Sequence, residues 1–172
     1  HQVAKNIFQK SGFKHLTALA INYIGHVHRE LGQFDKANNK YQEVINIYKN
    51  AGAEAEIARV LGSLGLLNFK VRKFQKGIDN FLKAASIFKK HGNELRLAAA
   101  YTNIGHGYSY IKKYEKAKHY IDKASSIYLK NNLMMGFAAN NIFIGDMLII
   151  EGKYQEAKQK LSQALEFYKE QN

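Results

Sequence analysis

The sequence predicts an all-α solenoid built from antiparallel helix pairs, and three observations lead to this fold class. A glycine that follows an aliphatic residue recurs every 40 residues, at Gly25, Gly65, Gly105 and Gly145, here called the glycine series. A period of this size is typical of a copied supersecondary unit. Apolar residues at helical spacing recur in each period, and the 172 residues include no proline.

The first helix of each unit, called helix A, carries the glycine series. A second series of small residues lies seven positions earlier, on the same helical face, at Ala18, Ala58, Ala98 and Ala138. Small side chains at these positions allow another helix to approach closely. The pattern predicts helices A over residues 15–31, 55–70, 95–111 and 135–151.

The second helix, called helix B, begins with an aromatic residue at Phe34, Phe74, Tyr114 and Tyr154. Apolar or small residues follow at helical spacing, so that one face of helix B is apolar. Gly52, Gly92 and Asn132 come shortly after this face ends, and these residue types tolerate the left-handed conformation of a helix C-terminal cap. They predict the ends of the first three helices B.

The phase of the repeat divides the chain into 13–52, 53–92, 93–132 and 133–172, a single array of four repeats. Residues 1–12 are predicted to be the second helix of a truncated upstream repeat. The members of that segment that match later positions are Ala4, Ile7, Phe8 and Gly12, in register with Val44, Ile47, Tyr48 and Gly52. The sequence is therefore expected to be a fragment of a longer protein, with uncapped ends through which copies could associate.

Composition limits the environment and the partners. The formal net charge is +12, which favours acidic proteins, nucleic acid or anionic membranes as partners. The sequence has no cysteine, and no apolar run approaches the roughly 18–20 residues that span a bilayer. These features predict a cytoplasmic protein without a membrane span.

The repeat resembles the tetratricopeptide repeat. Its signature residues are the aliphatic-glycine pair of helix A and the aromatic and small residues of helix B, as in Gly32-Gln33-Phe34-Asp35-Lys36-Ala37. Three features depart from that pattern: the period is 40 rather than 34, the closing proline is absent, and the first aromatic position holds Ile21, Leu61, Tyr101 and Asn141. The longer period resembles the repeats of kinesin light chains, spindle-orientation adaptors and bacterial peptide-sensing regulators.

The resemblance implies a right-handed superhelix in which helices A line a concave groove and helices B form the outer wall. Ligand-binding positions would then flank each glycine of the series. The candidate groove residues are Asn22, Tyr23, His26, Arg29, Arg59, Ser63, Thr102, Asn103, His106, Tyr110, Phe143 and Asp146. Such a groove would be polar at one end and apolar, with Ile142, Ile149 and Ile150, at the other.

Asparagines on helices A suit peptide binding because an amide side chain both donates and accepts hydrogen bonds. Asn22, Asn103 and Asn140 are candidates for holding a peptide backbone; the alternative is that they are exposed polar residues. Asn141 lies nearer the face between helices and is expected to form a structural hydrogen bond.

The histidines and carboxylates predict neither catalysis nor a metal site. His26 and His28 lie on different sides of a helix, and His26 and His106 are two repeats apart, too far to share a zinc ion. His106 and Asp146 occupy equivalent positions one repeat apart and could face each other. No nucleophile with a matching base and no phosphate-binding loop accompanies them, so we expect no enzyme activity and no cofactor.

Lysine recurs at Lys36, Lys76 and Lys116, a basic stripe on the predicted outer wall. It can be a solvated face, a contact for an acidic protein, or a phosphate-binding surface for nucleic acid. We expect a module that binds a protein or peptide in the groove, within a larger signalling, regulatory or scaffolding protein. The alternatives are a peptide-sensing domain that controls an attached DNA-binding or catalytic domain, and a nucleic-acid binder.

Overall fold

The chain folds into α-helices that are joined by turns of three residues. A computed structural model describes the backbone of residues 2–170 and the side chains of residues 12–169. This part of the chain contains no strand. Its helices are α1 (Gln2–Glu30), α2 (Phe34–Asn50), α3 (Glu54–Lys70), α4 (Phe74–Lys90), α5 (Glu94–Tyr110), α6 (Tyr114–Lys130), α7 (Met134–Ile150) and α8 (Tyr154–Glu170). The predicted all-α fold class is confirmed.

Every helix B begins at the aromatic residue that the sequence pattern indicates, and helices α3, α5 and α7 begin one residue before their predicted starts. The first helix differs from the prediction. Residues 1–12 were expected to form a separate helix, but α1 runs without interruption through Gly12. Glycine permits the left-handed conformation without requiring it, so Gly12 can remain helical. Ala4, Ile7 and Phe8 lie outside the described side chains, and their register with α2 remains a prediction.

The turns place a residue of left-handed conformation at intervals of 20 residues. Positive φ angles occur at the middle position of each turn: Gly32, Gly52, Arg72, Gly92, Lys112, Asn132 and Gly152. The next residue donates its backbone N–H to the carbonyl five positions earlier, as in the 2.8 Å bond from Gln33 to His28. This is the hydrogen bond of a Schellman cap. The predicted caps at Gly52, Gly92 and Asn132 are confirmed.

Each member of the glycine series lies beneath a large side chain of the following helix B. A methyl group at Gly25 would come within 2.7 Å of the Tyr41 ring, and one at Gly145 within 2.7 Å of Leu161. At Gly105 it would meet Ile121 at 2.6 Å and the carbonyl oxygen of Ala117 at 3.0 Å. The glycines therefore allow helices A and B to approach closely, as the repeat predicts.

Contacts between residues divide the chain into unit 1, His1–Ile87, and unit 2, Phe88–Asn172. In unit 1, the buried side chains of α2 and α3 form one core cluster with Ala18 of α1. In unit 2, Ile121 of α6 packs with Ile144, Met147 and Leu148 of α7. Each core joins a helix B to neighbouring helices A, so helices A are positioned by contacts on two sides.

Replacing Gly105 with alanine is expected to lower the free energy of unfolding by about 1–3 kcal/mol, because the new methyl group overlaps Ile121 and the backbone of Ala117. Gly12→Ala is the matched control, since no atom lies within 4 Å of its added methyl group. It should be neutral or stabilising by up to about 1 kcal/mol. Urea denaturation measures both; equal effects would refute the close-approach role.

The turn conformation predicts effects of opposite sign at Lys112 and Gly152, which have φ angles of 58° and 76°. Lys112→Gly relieves the steric strain of a side chain in this conformation, and Gly152→Ala introduces it. We expect changes of about +0.5 to +1 and −0.5 to −1 kcal/mol in the free energy of unfolding. Thermal and urea denaturation would contradict this account if both variants shifted stability in the same direction.

Candidate functional site

The candidate site is the set of helix A residues that flank the glycine series. In unit 1 they lie on α1 and α3, and in unit 2 on α5 and α7. In each set, a helix B packs on the glycine and thereby positions the helix A that carries the flanking side chains.

In unit 1 the centre of the set is His26. Its Nε2 atom lies 3.2 Å from Asn22 Nδ2 on the same helix and 3.3 Å from Ser63 Oγ on α3. Its ring meets the Tyr41 ring edge-on at 5.6 Å and lies 6.1 Å from that of Tyr23. His26 therefore joins α1, α2 and α3, while Tyr23 remains largely exposed.

The two arginines of unit 1 are each held by a nearby carboxylate. Arg29 donates from Nε to Glu30 Oε1 at 2.9 Å, and Arg59 donates to Glu56 Oε2 at 2.6 Å. Arg29 is largely buried, and its Nη1 atom has no hydrogen-bond partner among the described residues. The same holds for Asn22 Oδ1 and the Tyr41 hydroxyl. Asn22 and Arg29, about one helical turn before and after His26 on α1, thus each carry one buried polar atom without a partner. Tyr41, whose ring His26 contacts, carries the third.

Burial and charge act together on His26. Removal of the imidazole from water lowers its pKa, and the nearby positive charge of Arg29 lowers it further, while Glu30 acts in the opposite direction. Burial also raises the pKa of the Tyr41 hydroxyl. The cluster is therefore neutral at its histidine and tyrosine near pH 7, with Arg29 as its cation.

In unit 2 the equivalent histidine has a different partner. The His106 ring packs on that of Phe143 with centroids 4.2 Å apart, and burial lowers the pKa of His106. His26 and His106 both contact the residue 37 positions later, on the next helix A, which is Ser63 for His26 and Phe143 for His106. No hydrogen bond or ion pair joins His106 to Asp146 in the described residues. Asp146 is exposed and makes neither kind of contact with any of them.

The asparagines of α5 and α7 separate into internal and accessible residues. Asn140 is buried, donates to Ser125 Oγ at 3.1 Å and accepts from Thr102 Oγ1 at 3.3 Å. It ties α7 to α5 and α6 and is not available to a peptide, contrary to the expectation for this residue. Asn141 is also buried and donates to Gln163 at 3.4 Å, as expected for a structural role. Asn103 is half-exposed and donates to the backbone of Ala99.

An apolar surface on α7 extends the candidate set beyond the predicted residues. Ile142 and Ile149 are exposed on either side of Asp146, and Met135 continues the line toward the start of the helix. Their spacing of three or four residues from Asp146 and Ala139 places them on one helical face. Sequence reasoning considered only residues close to the glycines and so omitted Met135. Counting backward from Asp146 at helical spacing would have found it.

Neither a metal-binding cluster nor a membrane-spanning helix is found among the described residues. No three histidine, aspartate or glutamate side chains in this part of the chain lie close enough together to hold a metal ion. None of its helices combines the length and apolarity needed to cross a membrane.

The lowered pKa of His106 predicts a pH dependence of stability. Between its folded pKa and the ordinary histidine value of about 6.5, the unfolded state binds a proton that the folded state does not. The free energy of unfolding should therefore fall as the pH drops below about 6.5, and His106→Gln should reduce that fall. Exposed His119→Gln is the control. Urea denaturation at pH 7.5 and at pH 5.5 gives the free energy of unfolding of each protein. An equal loss of this free energy between the two pH values in all three proteins would exclude the contribution of His106.

Known proteins share both the repeat and the fold. Family models described as tetratricopeptide repeat match residues 56–130 and 17–51. No curated protein sequence matches the chain. Among solved structures, aspartyl phosphate phosphatase F from Bacillus subtilis aligns with a TM-score of 0.85 and 16% identity over 99% of this chain and 45% of its own. BtubC from P. vanneervenii aligns at 0.82 and 21%, over 92% and 66%, and apo RapI at 0.80 and 17%, over 88% and 42%.

The TM-scores show that these proteins share the fold of this chain. The chain spans about two thirds of BtubC and less than half of the other two proteins. The all-α solenoid predicted from the sequence is thereby confirmed. Because the two family matches together cover more than half of its residues, the chain belongs to the tetratricopeptide repeat family.

Proposed function

We propose that this chain is a non-catalytic module that binds an extended segment of a protein or peptide along its helices A. Membership of the tetratricopeptide repeat family supports a protein-interaction role. The proposed ligand surface is the exposed face of α5 and α7 within unit 2; within unit 1 the corresponding surface is that of α1 and α3. The absence of cysteine is in keeping with a cytoplasmic setting.

The observation that carries the proposal is the exposed face of α7. Asp146 is the only charged residue in this helix, and exposed Ile142 and Ile149 lie on both sides of it. A helix that is apolar on every side is normally buried, and exposed apolar patches mark interaction sites. A ligand with apolar side chains and one cationic group would cover the isoleucines and pair with the carboxylate.

Neighbouring residues of unit 2 supply contacts of a second kind. Asn103 and His106 lie on α5 beside exposed Tyr110, and the His106 ring is already supported by Phe143. The lowered pKa keeps His106 neutral near pH 7, so it can both donate and accept a hydrogen bond. These groups suit the backbone amides of an extended peptide.

The net charge of +12 favours a partner that is acidic outside the segment bound to α7. Long-range attraction would raise the rate of association, and salt would reduce it. Lys36, Lys76 and Lys116 are all exposed and contribute to this field.

The proposal can be tested with peptides selected from a displayed random library on the wild-type chain. A selected peptide should bind Asn103→Ala/His106→Ala and Ile142→Ser at least about tenfold more weakly by calorimetry, a loss of about 1.4 kcal/mol or more. Gln159→Ala, an exposed change on α8, should leave its affinity unchanged. Selected peptides that bind all variants equally would refute this location.

A further inference from the structure

A group of polar side chains in unit 1 lies between α1, α2 and α3 and is here called the Arg29 cluster. Its members are Asn22, His26 and Arg29 of α1, Tyr41 of α2 and Ser63 of α3. The three residues of α1 follow one another at steps of four and three positions, so they share one face of that helix. All five side chains belong to the described part of the chain, and each of the three helices contributes to the cluster.

Short contacts connect the members of the Arg29 cluster. Asn22 Nδ2 donates to His26 Nε2 at 3.2 Å, and Ser63 Oγ lies 3.3 Å from the same nitrogen. The His26 ring meets the Tyr41 ring edge-on, with centroids 5.6 Å apart. Burial has the largest effect on the pKa of His26 and of Tyr41, and the positive charge of Arg29 acts on the pKa of both. The five residues therefore form one connected group.

Three atoms of the cluster are buried and have no hydrogen-bond partner among the described residues: Arg29 Nη1, Asn22 Oδ1 and the Tyr41 hydroxyl. Arg29 uses Nε and Nη2 for a single oxygen of Glu30, at 2.9 and 2.7 Å. Because the guanidinium is planar, Nη1 lies on the side away from these two nitrogens. Tyr41 is 0% exposed, so bulk water does not reach its hydroxyl.

The chemistry of the three atoms defines the group that would satisfy them. Arg29 Nη1 and the Tyr41 hydroxyl can both donate, since burial raises the pKa of Tyr41 and keeps its proton in place. Arg29 is largely buried, and its carboxylate partner Glu30 is 59% exposed. A buried charge favours a close counter-charge, so an anionic acceptor suits both donors. Asn22 Oδ1 requires a donor, which a backbone N–H supplies.

We propose that the Arg29 cluster binds the carboxylate of an aspartate or glutamate in the extended segment that the chain holds. The carboxylate accepts hydrogen bonds from Arg29 Nη1 and the Tyr41 hydroxyl, and a backbone N–H of the segment donates to Asn22 Oδ1. This inference rests on the proposed function, because it names the kind of residue that the bound segment places against α1. The net charge of +12 favours an acidic segment.

The carboxylate can reach the cluster because its members on α1 lie at the surface. Asn22, His26 and Arg29 are each partly exposed, although each of Asn22 and Arg29 turns one polar atom inward. Glu30 holds the guanidinium from the solvent side, and exposed ion pairs of this kind are weak. Rotation of Arg29 away from Glu30 therefore makes Nη1 accessible to the ligand.

A displayed library of random peptides tests the inference. Panning on the wild-type chain with excess soluble Arg29→Gln protein removes peptides that bind without Arg29. The remaining peptides should share a glutamate or aspartate at one position. Replacing that residue with its uncharged amide should weaken binding to the wild type about tenfold or more by calorimetry, because a hydrogen bond to a charged group is lost. The same replacement should leave binding to Arg29→Gln unchanged.

Arg72→Gln is the matched control, since it removes the same charge from an exposed turn of unit 1. It should keep the full preference for the acidic peptide over the amide. Tyr41→Phe retains the ring over Gly25 and removes only the hydroxyl, so it should reduce this preference. Urea denaturation without peptide should show no loss of stability in Tyr41→Phe, because the hydroxyl has no partner in the free chain.

Three results would overturn the inference. They are a panned pool without a shared acidic residue, an equal preference for the acidic peptide in the wild type and Arg29→Gln, and a loss of stability in Tyr41→Phe. The last result would show that the cluster holds ordered water only. The proposed function survives each of them if peptides selected without the competitor still bind Asn103→Ala/His106→Ala and Ile142→Ser more weakly.

Discussion

The close approach of each helix B to a glycine on the preceding helix A is the contact on which the rest of the structure depends. Tyr41, Phe81, Ile121 and Leu161 fill the space that a methyl group would need at the four glycines. Because side chains of different size serve this purpose, the constraint lies on the glycine and not on its partner. Once this contact fixes the pair, flanking residues of helix A such as His26 and His106 can reach the next helix A.

Because the turns are regular, this local contact recurs at a fixed interval along the chain. Each helix B and each of α3, α5 and α7 has 17 residues, and each turn has three, with a left-handed residue at its centre. Glycine is not required at every turn, as Arg72 and Lys112 show, because the Schellman hydrogen bonds form at these residues as well. The 40-residue period is therefore the sum of two equal halves, and variation in turn residues leaves it unchanged.

Helices A combine structural and binding roles on different sides. One side receives a helix B on the glycine, a second packs on the preceding helix B, and a third holds residues such as Asn103 and Asp146. The second side is apolar in α3 and polar at Asn140 of α7. Single repeat positions therefore change the chemistry of the contact between a helix B and the next helix A, while the glycines maintain the close packing within each pair.

The sequence by itself determined the fold class, the starts of helices B, the left-handed caps and the close packing at the glycines, because these follow from local conformation and from a repeated period. It also indicated the structural role of Asn141.

Only the tertiary structure decided which candidate side chains are engaged inside each unit. Asn140 and Asn103 look alike in the sequence, yet Asn140 is buried between Thr102 and Ser125 while Asn103 remains accessible. His26 and His106 share a repeat position, but their partners Ser63 and Phe143 lie on another helix, and helical periodicity describes neighbours along one helix only. The continuity of α1 through Gly12 was likewise decided by the folded chain, because glycine permits a turn but does not impose one.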